Sequence, residues 1–354
     1  MMTTDQTIKD SVIKDSVQGG WVERMPASMR PYLRLSRYDR PIGFWLLALP
    51  GWIGLAFAAL GVGFSGADVK WAVLIAIGAI AMRGAGCTYN DIVDRDLDKQ
   101  VARTALRPLA AGTTSLKSAW VWLALQCLVG LAVLAFFPRL AQIIALSSVV
   151  LVAVYPFMKR ITYWPQAWLG LTFNWAVLVA FSAKTGTVSL PLFLLYGGLV
   201  FWTIGYDTIY ACQDVEDDAL IGVKSTARLF GDKVRLGVGI CYLACALLLG
   251  FAVNDVASFG VRVTKCGDEV IQSFLFGLDY QIVGWGIIVP FIVHLAWQVI
   301  RIDFNKSALA LKLFKSNRNA ALILIATVMF YIWFGLNAPW EEIIKVRSSC
   351  MYAS

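Results

Sequence analysis

The sequence predicts an all-α integral membrane protein, a bundle of nine transmembrane helices. Three observations carry this. Of 354 residues, 58% are hydrophobic and only 15% are charged, whereas a soluble globular chain runs at about 45–50% and about 25%. There are too few charges to cover a water-facing surface. Nine charge-poor runs come close to the roughly 20 residues a helix needs to cross hydrocarbon: 41–67, 69–89, 118–138, 140–158, 161–183, 185–206, 236–254, 280–300 and 319–340. Finally, the basic residues crowd into alternate connections between those runs. A soluble enzyme, a disordered chain and a small disulfide scaffold are excluded.

The elements follow in order. Residues 1–40 are charged and polar, without the apolar stretch of a signal peptide, and read as a cytoplasmic tail. A membrane domain over 41–340 follows, then a short tail over 341–354. The second run is interrupted by Arg83, a charge that is costly at membrane depth unless it is paired or faces a polar cavity. Placing the N-terminus inside puts 23 of the 31 Lys and Arg on the cytoplasmic side. That bias sets the orientation, with the C-terminus outside. It also accounts for the formal charge of +8 without any nucleic acid. The seven cysteines form no CxxC pair and mostly lie in or beside apolar runs, where a thiol behaves as a small hydrophobe. The single His294 sits in an apolar run and alone makes no metal site. No obligate protein partner is evident.

The acids are the informative residues. Nine of the 23 Asp and Glu lie in two short stretches, 90–98 and 207–218, each at the cytoplasmic end of a run. The motif loops built on them are 90–117 and 207–235. In the first, Asn90, Asp94 and Asp98 are spaced four apart, with Asp91 beside them; on a helix the three share a face. In the second, Asp214 and Asp218 repeat that spacing and Asp207 precedes them by seven. Like charges four apart repel, so these carboxylates call for a cation. Oxygen ligands without a His or Cys cluster indicate Mg²⁺, ahead of Ca²⁺ or Mn²⁺. Mg²⁺ commonly completes its shell with water and substrate phosphate oxygens.

Cations trail each acidic stretch: Arg103 and Arg107 after the first, Lys224 after the second. A third cytoplasmic edge supplies Tyr155, Lys159 and Arg160. Cations beside a metal–carboxylate site suit a diphosphate. In a membrane that points to a lipid diphosphate. If the lipid is an allylic isoprenoid, its leaving diphosphate is held by metal and cations. The allylic cation then needs a water-poor pocket and gains from aromatic faces.

These residues resemble the UbiA superfamily of intramembrane aromatic prenyltransferases. Asn90-Asp91-x-x-Asp94-x-x-x-Asp98 resembles its first acidic motif, and Asp214-x-x-x-Asp218 its second. The text around Arg37-Tyr-Asp39-Arg40-Pro41, Arg103-Thr-Ala-Leu-Arg107, Tyr155-Pro-Phe-Met-Lys159-Arg160, Tyr206-Asp207-Thr208 and Lys224-Ser-Thr226 is similar to the branch that prenylates 4-hydroxybenzoate for ubiquinone. The resemblance runs from about residue 30 to about 340. It implies nine helices around a central cavity open sideways to lipid, in a bacterial or mitochondrial inner membrane. It implies Mg²⁺ held by Asn90, Asp91, Asp94, Asp98, Asp214 and Asp218, with a polyprenyl diphosphate and 4-hydroxybenzoate as substrates. Asp94, Asp214 and Arg160 would be catalytic. Arg37, Asp39, Arg40, Arg83, Arg103, Arg107, Tyr155, Lys159, Asp207 and Lys224 would bind the anionic substrates.

Two rivals are weighed against this. One is a related enzyme with another acceptor, of menaquinone, haem or chlorophyll type. The other is a cation-coupled transporter, whose carboxylates belong near the bilayer midplane rather than at the ends of the runs. The polar segment 255–279 and the tail after 340 are read as peripheral.

Overall fold

Backbone groups in hydrocarbon have no water to bond, so an apolar run must satisfy them within a helix. The computed structural model describes residues 20–100, 104–213, 215, 219, 222–260, 264–266, 269–271, 280–303 and 306–337. Long helices follow one another through them: α1 (Ile42–Val62), α2 (Gly66–Val93) and α3 (Leu116–Leu134); α4 (Arg139–Ile161), which breaks at Ser148, and α5 (Pro165–Thr185), which breaks at Asn174; then α6 (Leu190–Ala211), α7 (Val234–Gly260), α8 (Tyr280–Arg301) and α9 (Ser307–Asn337). Among the described residues, eight helical segments are long and apolar enough to cross a membrane, the seventh being Thr226–Asp255. The long helix α9 lies where the last run is expected, and its first part carries Lys312, Lys315 and Arg318.

The core is shared by α1 and α5 to α9, with Trp202 and Tyr206 of α6, Phe57 of α1 and Phe291 of α8 all essentially enclosed. α6 packs along α7, α1 lies between α5 and α9, and α2 carries α3 on its flank. Small residues let these helices approach closely. A Cβ on Gly54 of α1 would sit 2.8 Å from the Val177 carbonyl oxygen of α5. By contrast α3 buries only Ala119 and Gln126 and turns Val, Leu and Trp side chains outward, as a lipid-facing helix should.

Four features depart from the sequence reading. Residues 30–40 do not behave as a loose tail. The short helix Arg30–Leu35 packs on α2, Leu35 and Ser36 are fully buried, and Trp122 and Gln126 of α3 donate to Ser36 Oγ, both at 2.8 Å. Helix α6 continues five residues past the expected end at 206, which takes Asp207 out of the loop and into the helix. Segment 255–279 is not all loop: α7 runs on to Gly260, and an antiparallel pair, β1 (Thr264–Cys266) and β2 (Glu269–Ile271), follows. An ion pair also lies at the end of the bundle away from the acidic motifs. Lys184 donates to both oxygens of Asp68, at 2.7 and 2.6 Å, and each side chain is only 4% exposed. Asp68 also accepts from the Ser65 N–H at 2.7 Å, closing the capping box of α2.

Candidate active site

The site grows from the last turn of α2. Apolar positions end at Val93, and Asp94 breaks the helix at φ −93°, ψ 3°. The four-residue hydrogen-bond rhythm survives the break. The Asp94 N–H donates to the Asn90 carbonyl at 2.9 Å, and the Asp98 N–H to that of Asp94 at 2.8 Å. The expected i, i+4, i+8 stacking therefore persists through the short helix Arg95–Asp98.

Each described carboxylate of the motif meets cations. Asp94 is fully enclosed and takes the Lys159 ammonium together with Arg160 Nη2, the latter at 2.7 Å. Both cations come from the last turn of α4. Asp98 accepts from Arg107 Nη1 at 3.1 and 2.8 Å. Burial pushes its carboxyl above the usual range, Arg107 pulls it down, and Asp91 and Asp94 add to the upward push.

Asp91 stands apart from this stack. Arg37 Nη2 donates to its two oxygens at 2.8 and 2.9 Å, and Arg107 Nη1 to Oδ1 at 3.2 Å. Burial alone would lower the Arg37 guanidinium, but Asp91 overcomes this and leaves it raised. Arg37 holds φ at 57°, a left-handed conformation costing about 1–2 kcal/mol outside glycine. The double ion pair holds it there. Asp39 and Arg40 pair with one another at 3.5 Å just before α1, and Asp39 Oδ1 is buried without a hydrogen bond.

Deeper along the helices is a second polar group. Tyr155 of α4 lies within electrostatic reach of Asp207, Arg83, Cys87 and Asp94, and Asp207 within reach of Arg83. Arg83 stacks over Phe173 at 5.5 Å, and its Nε is buried without a hydrogen bond. Gly43 admits it: a Cβ there would lie 3.0 Å from Arg83 Nη2. A guanidinium with an unused donor at membrane depth marks a place for an anionic group.

Lys224 goes elsewhere. Its Nζ donates to the Ile161 carbonyl at 3.1 Å and lies over Tyr163, and its N–H donates to the Lys159 carbonyl at 3.0 Å. It caps the end of α4 and ties the segment after the second motif to the Lys159–Arg160 edge. Thr226 completes the tie, its N–H donating to Gln166 Oε1 at 3.0 Å and its hydroxyl meeting Thr208 at 2.5 Å. Arg103, Asp214 and Asp218 lie outside the described residues. Sequence reasoning passed over Gln126 and Gln166, although an isolated glutamine in an apolar run is itself a signal of an interhelical hydrogen bond.

Residues 47–322 match the UbiA prenyltransferase family. The chain belongs to this family. Curated relatives include the mitochondrial 4-hydroxybenzoate polyprenyltransferase of Rattus norvegicus, 39% identical over 317 residues, which are 87% of this chain and 76% of the relative. Another is 4-hydroxybenzoate geranyltransferase 2 of Lithospermum erythrorhizon, 42% identical over 276 residues, or 77% of this chain and 89% of the relative. Among solved structures, an apo UbiA homologue from Aeropyrum pernix K1 superposes with a TM-score of 0.59 at 23% identity, covering 81% of this chain and 98% of its own. One from Archaeoglobus fulgidus bound to GPP and Mg²⁺ gives 0.54 at 19%, covering 85% and 99%. These two share the UbiA fold with this multi-pass chain.

Among the described residues, no three His, Cys, Asp or Glu converge on a metal position. The donor set nevertheless fits a hard cation: Asn90, Asp94 and Asp98 present only amide and carboxylate oxygens from one face. Asp91, like Asp94 and Asp98, is met by cations here: the guanidiniums of Arg37 and Arg107 both reach it.

Proposed function

We propose that this chain transfers a polyprenyl group from a polyprenyl diphosphate to the ring carbon ortho to the hydroxyl of 4-hydroxybenzoate. The allylic C–O bond breaks, a C–C bond forms, the ring proton leaves and diphosphate is released. The observation that carries the reading is the enclosed Asp94 between Lys159 and Arg160, with Asp207, Arg83 and Asp94 all within electrostatic reach of Tyr155. Beside this diphosphate-binding chemistry, the buried Arg83 keeps an unused Nε–H donor for a second anion. Relatives named for 4-hydroxybenzoate prenyl transfer supply the acceptor.

In this reading Asn90, Asp94 and Asp98, joined by Asp214 and Asp218, would hold Mg²⁺, which when bound would supply Lewis-acid neutralisation of diphosphate charge. Lys159 and Arg160 bind diphosphate oxygens and stabilise the charge that grows there. Arg83 holds the acceptor carboxylate and so turns the ring toward the allylic carbon. The Asp207 carboxylate receives the ring proton. The apolar walls of α5 and α6 keep water from the allylic cation. The acidic end faces the matrix of the mitochondrial inner membrane or, in a bacterium, the cytoplasm, with the N-terminus on that side and the C-terminus opposite.

The test is product formation from isoprenyl diphosphates and 4-hydroxybenzoate by purified protein, with and without EDTA. Transfer should stop with EDTA and in Asp94→Ala, while the variant still inserts. Full activity in either arm would sink the metal and diphosphate assignment. Transfer only to a different aromatic acceptor would sink the 4-hydroxybenzoate assignment alone.

A further inference from the structure

An apolar groove runs along α1, α2 and α9, from Ile80 and Leu322 to Phe64 and Asp68 at the end of the bundle away from the acidic motifs. It is lined by Trp52 of α1, Ala72 and Ala76 of α2, and Leu322, Ile325 and Met329 of α9 among others, and holds about 500 Å³. That volume lies within the range of about 300–1,000 Å³ for ligand pockets. Its lining is almost wholly apolar, and Val73 and Ile77 on its rim are exposed.

Helix α9 links this groove to charge. Along its length the exposed positions recur every three or four residues and make one stripe. Lys312, Lys315 and Arg318 open the stripe; Leu322, Phe330 and Trp333 continue it. The change from cation to hydrocarbon falls at Leu322, which also lines the groove. Phe314, meeting Tyr206 and Tyr210 at 5.8 and 4.5 Å, belongs to the opposite, buried face.

Cations at this end of a membrane helix satisfy the topology rule, so their presence alone assigns nothing. Their continuity with the groove does. Arg318 lies over the Trp45 ring at 6.0 Å, Trp45 meets Trp52 edge-on at 5.7 Å, and Trp52 both lines the groove and donates to the Ala72 carbonyl at 2.9 Å. Among the described residues, no carboxylate pairs with Lys312, Lys315 or Arg318; the polar contact of Arg318 is the Asn319 side chain at 3.2 Å. Three cations without a carboxylate partner among the described residues, one turn or two along α9 from an apolar slot, complement a phosphate joined to an acyl chain. A second copy of the chain would bring like charge against like charge.

We propose that this surface is a binding site for an anionic phospholipid of the leaflet at the acidic end of the bundle. Its phosphate sits against Lys315 and Arg318, with Lys312 nearby, and one acyl chain lies in the groove between α1, α2 and α9. The site is separate from the catalytic residues, and its occupancy locks α9 against α1 and α2.

The full chain, purified and delipidated, is exposed to dioleoylphosphatidylglycerol or dioleoylphosphatidylcholine. Retained lipid is read by native mass spectrometry and stability by thermal scanning. Phosphatidylglycerol should be retained preferentially and should raise Tm more. Each cation contributes roughly fivefold to headgroup retention, so K312Q/K315Q/R318Q should weaken it about 100-fold while leaving prenyl transfer from a short soluble diphosphate unchanged. Ala76→Phe, which fills the slot, should remove retention with all three cations in place; Ala72→Leu is the milder second variant should that one fail to fold. Equal retention of the two lipids overturns the proposal, as does a phosphatidylglycerol preference that survives the triple variant or persists in both groove variants. Displacement of the bound phospholipid by a polyprenyl diphosphate would reassign the groove to the reaction's own substrate and equally overturn it.

Discussion

Replacing Asp91 separates two roles that its motif leaves entangled. Its side chain is 2% exposed, that of Arg37 14% and that of Arg107 26%. A charge-assisted hydrogen bond contributes about 1.5–3 kcal/mol, and breaking a buried ion pair from one side costs about 3–5 kcal/mol. Asp91→Asn keeps one neutral acceptor for Arg37, and Arg107 retains Asp98, so the loss falls near the lower end, about 3 kcal/mol. Arg37→Ala should cost a similar amount, because it leaves an alanine at φ 57°. Arg37→Gly should be milder by about 1 kcal/mol, since glycine adopts that conformation without strain. Thermal unfolding in detergent reads these differences. The Mg²⁺ concentration for half-maximal transfer reads the other role, and it should not move in Asp91→Asn. A shifted Mg²⁺ requirement at unchanged Tm would show Asp91 to be a metal ligand and refute the clamp.

Other perturbations follow from the same contacts. Lys159→Met should lower kcat by about 100-fold, the usual scale for one group that stabilises developing charge, in steady-state transfer assays. Lys184→Met should destabilise the chain by about 3 kcal/mol, and Asp68→Leu by more because it also removes the α2 cap. The pair Asp68→Leu/Lys184→Met should recover much of that stability, and none of the three should alter Mg²⁺ dependence, since α2 places Asp68 about 39 Å from Asp94. Asn317→Leu strands the Trp202 indole N–H that now donates to it at 2.9 Å, which should lower Tm by the equivalent of about 1–3 kcal/mol.

The helices were legible because hydrocarbon punishes charge, so the few charged residues mark the ends of spans. The same scarcity made Asp94 with Lys159 and Arg160 legible as parts of one site before any contact was known. What the sequence hid depends on registry between distant segments. Nothing local says that Arg37 reaches Asp91 across 54 positions, or that Lys184 crosses 116 to find Asp68. Asp207 was assigned to a loop because apolarity ends near Tyr206, yet α6 runs on to Ala211; its polar groups there face other protein groups rather than lipid. Lys224 was read as a binder of the anionic substrates from its position after an acidic stretch, and nothing local says that its ammonium also reaches the Ile161 carbonyl at the end of α4.

The charge balance of the first motif bears on how it is used. Asp91, Asp94 and Asp98 face Arg37, Arg107, Lys159 and Arg160, so cations outnumber carboxylates even with an acidic motif at the centre. Adding the deeper layer sets Arg83 against Asp207 and leaves the excess unchanged. Among the described residues, the acids of the first motif are thus fully matched by cations before any ligand enters. The pairs differ in exposure: Arg160 is 45% exposed and Lys159 27%, while Arg37 is 14% exposed. The exposed pair gains least from its present partner, because solvent screens it, and so transfers to an entering phosphate at least cost. The enclosed Arg37–Asp91 pair would lose most by moving. Exposure thus sets Arg160, placed to turn to a ligand, apart from Arg37, which holds the site, with Lys159 and Arg107 between them at 27% and 26%. Charge reversal should reveal the contrast: Arg160→Glu should abolish diphosphate binding, and Arg37→Glu should unfold the segment 30–40 that Asp91 secures.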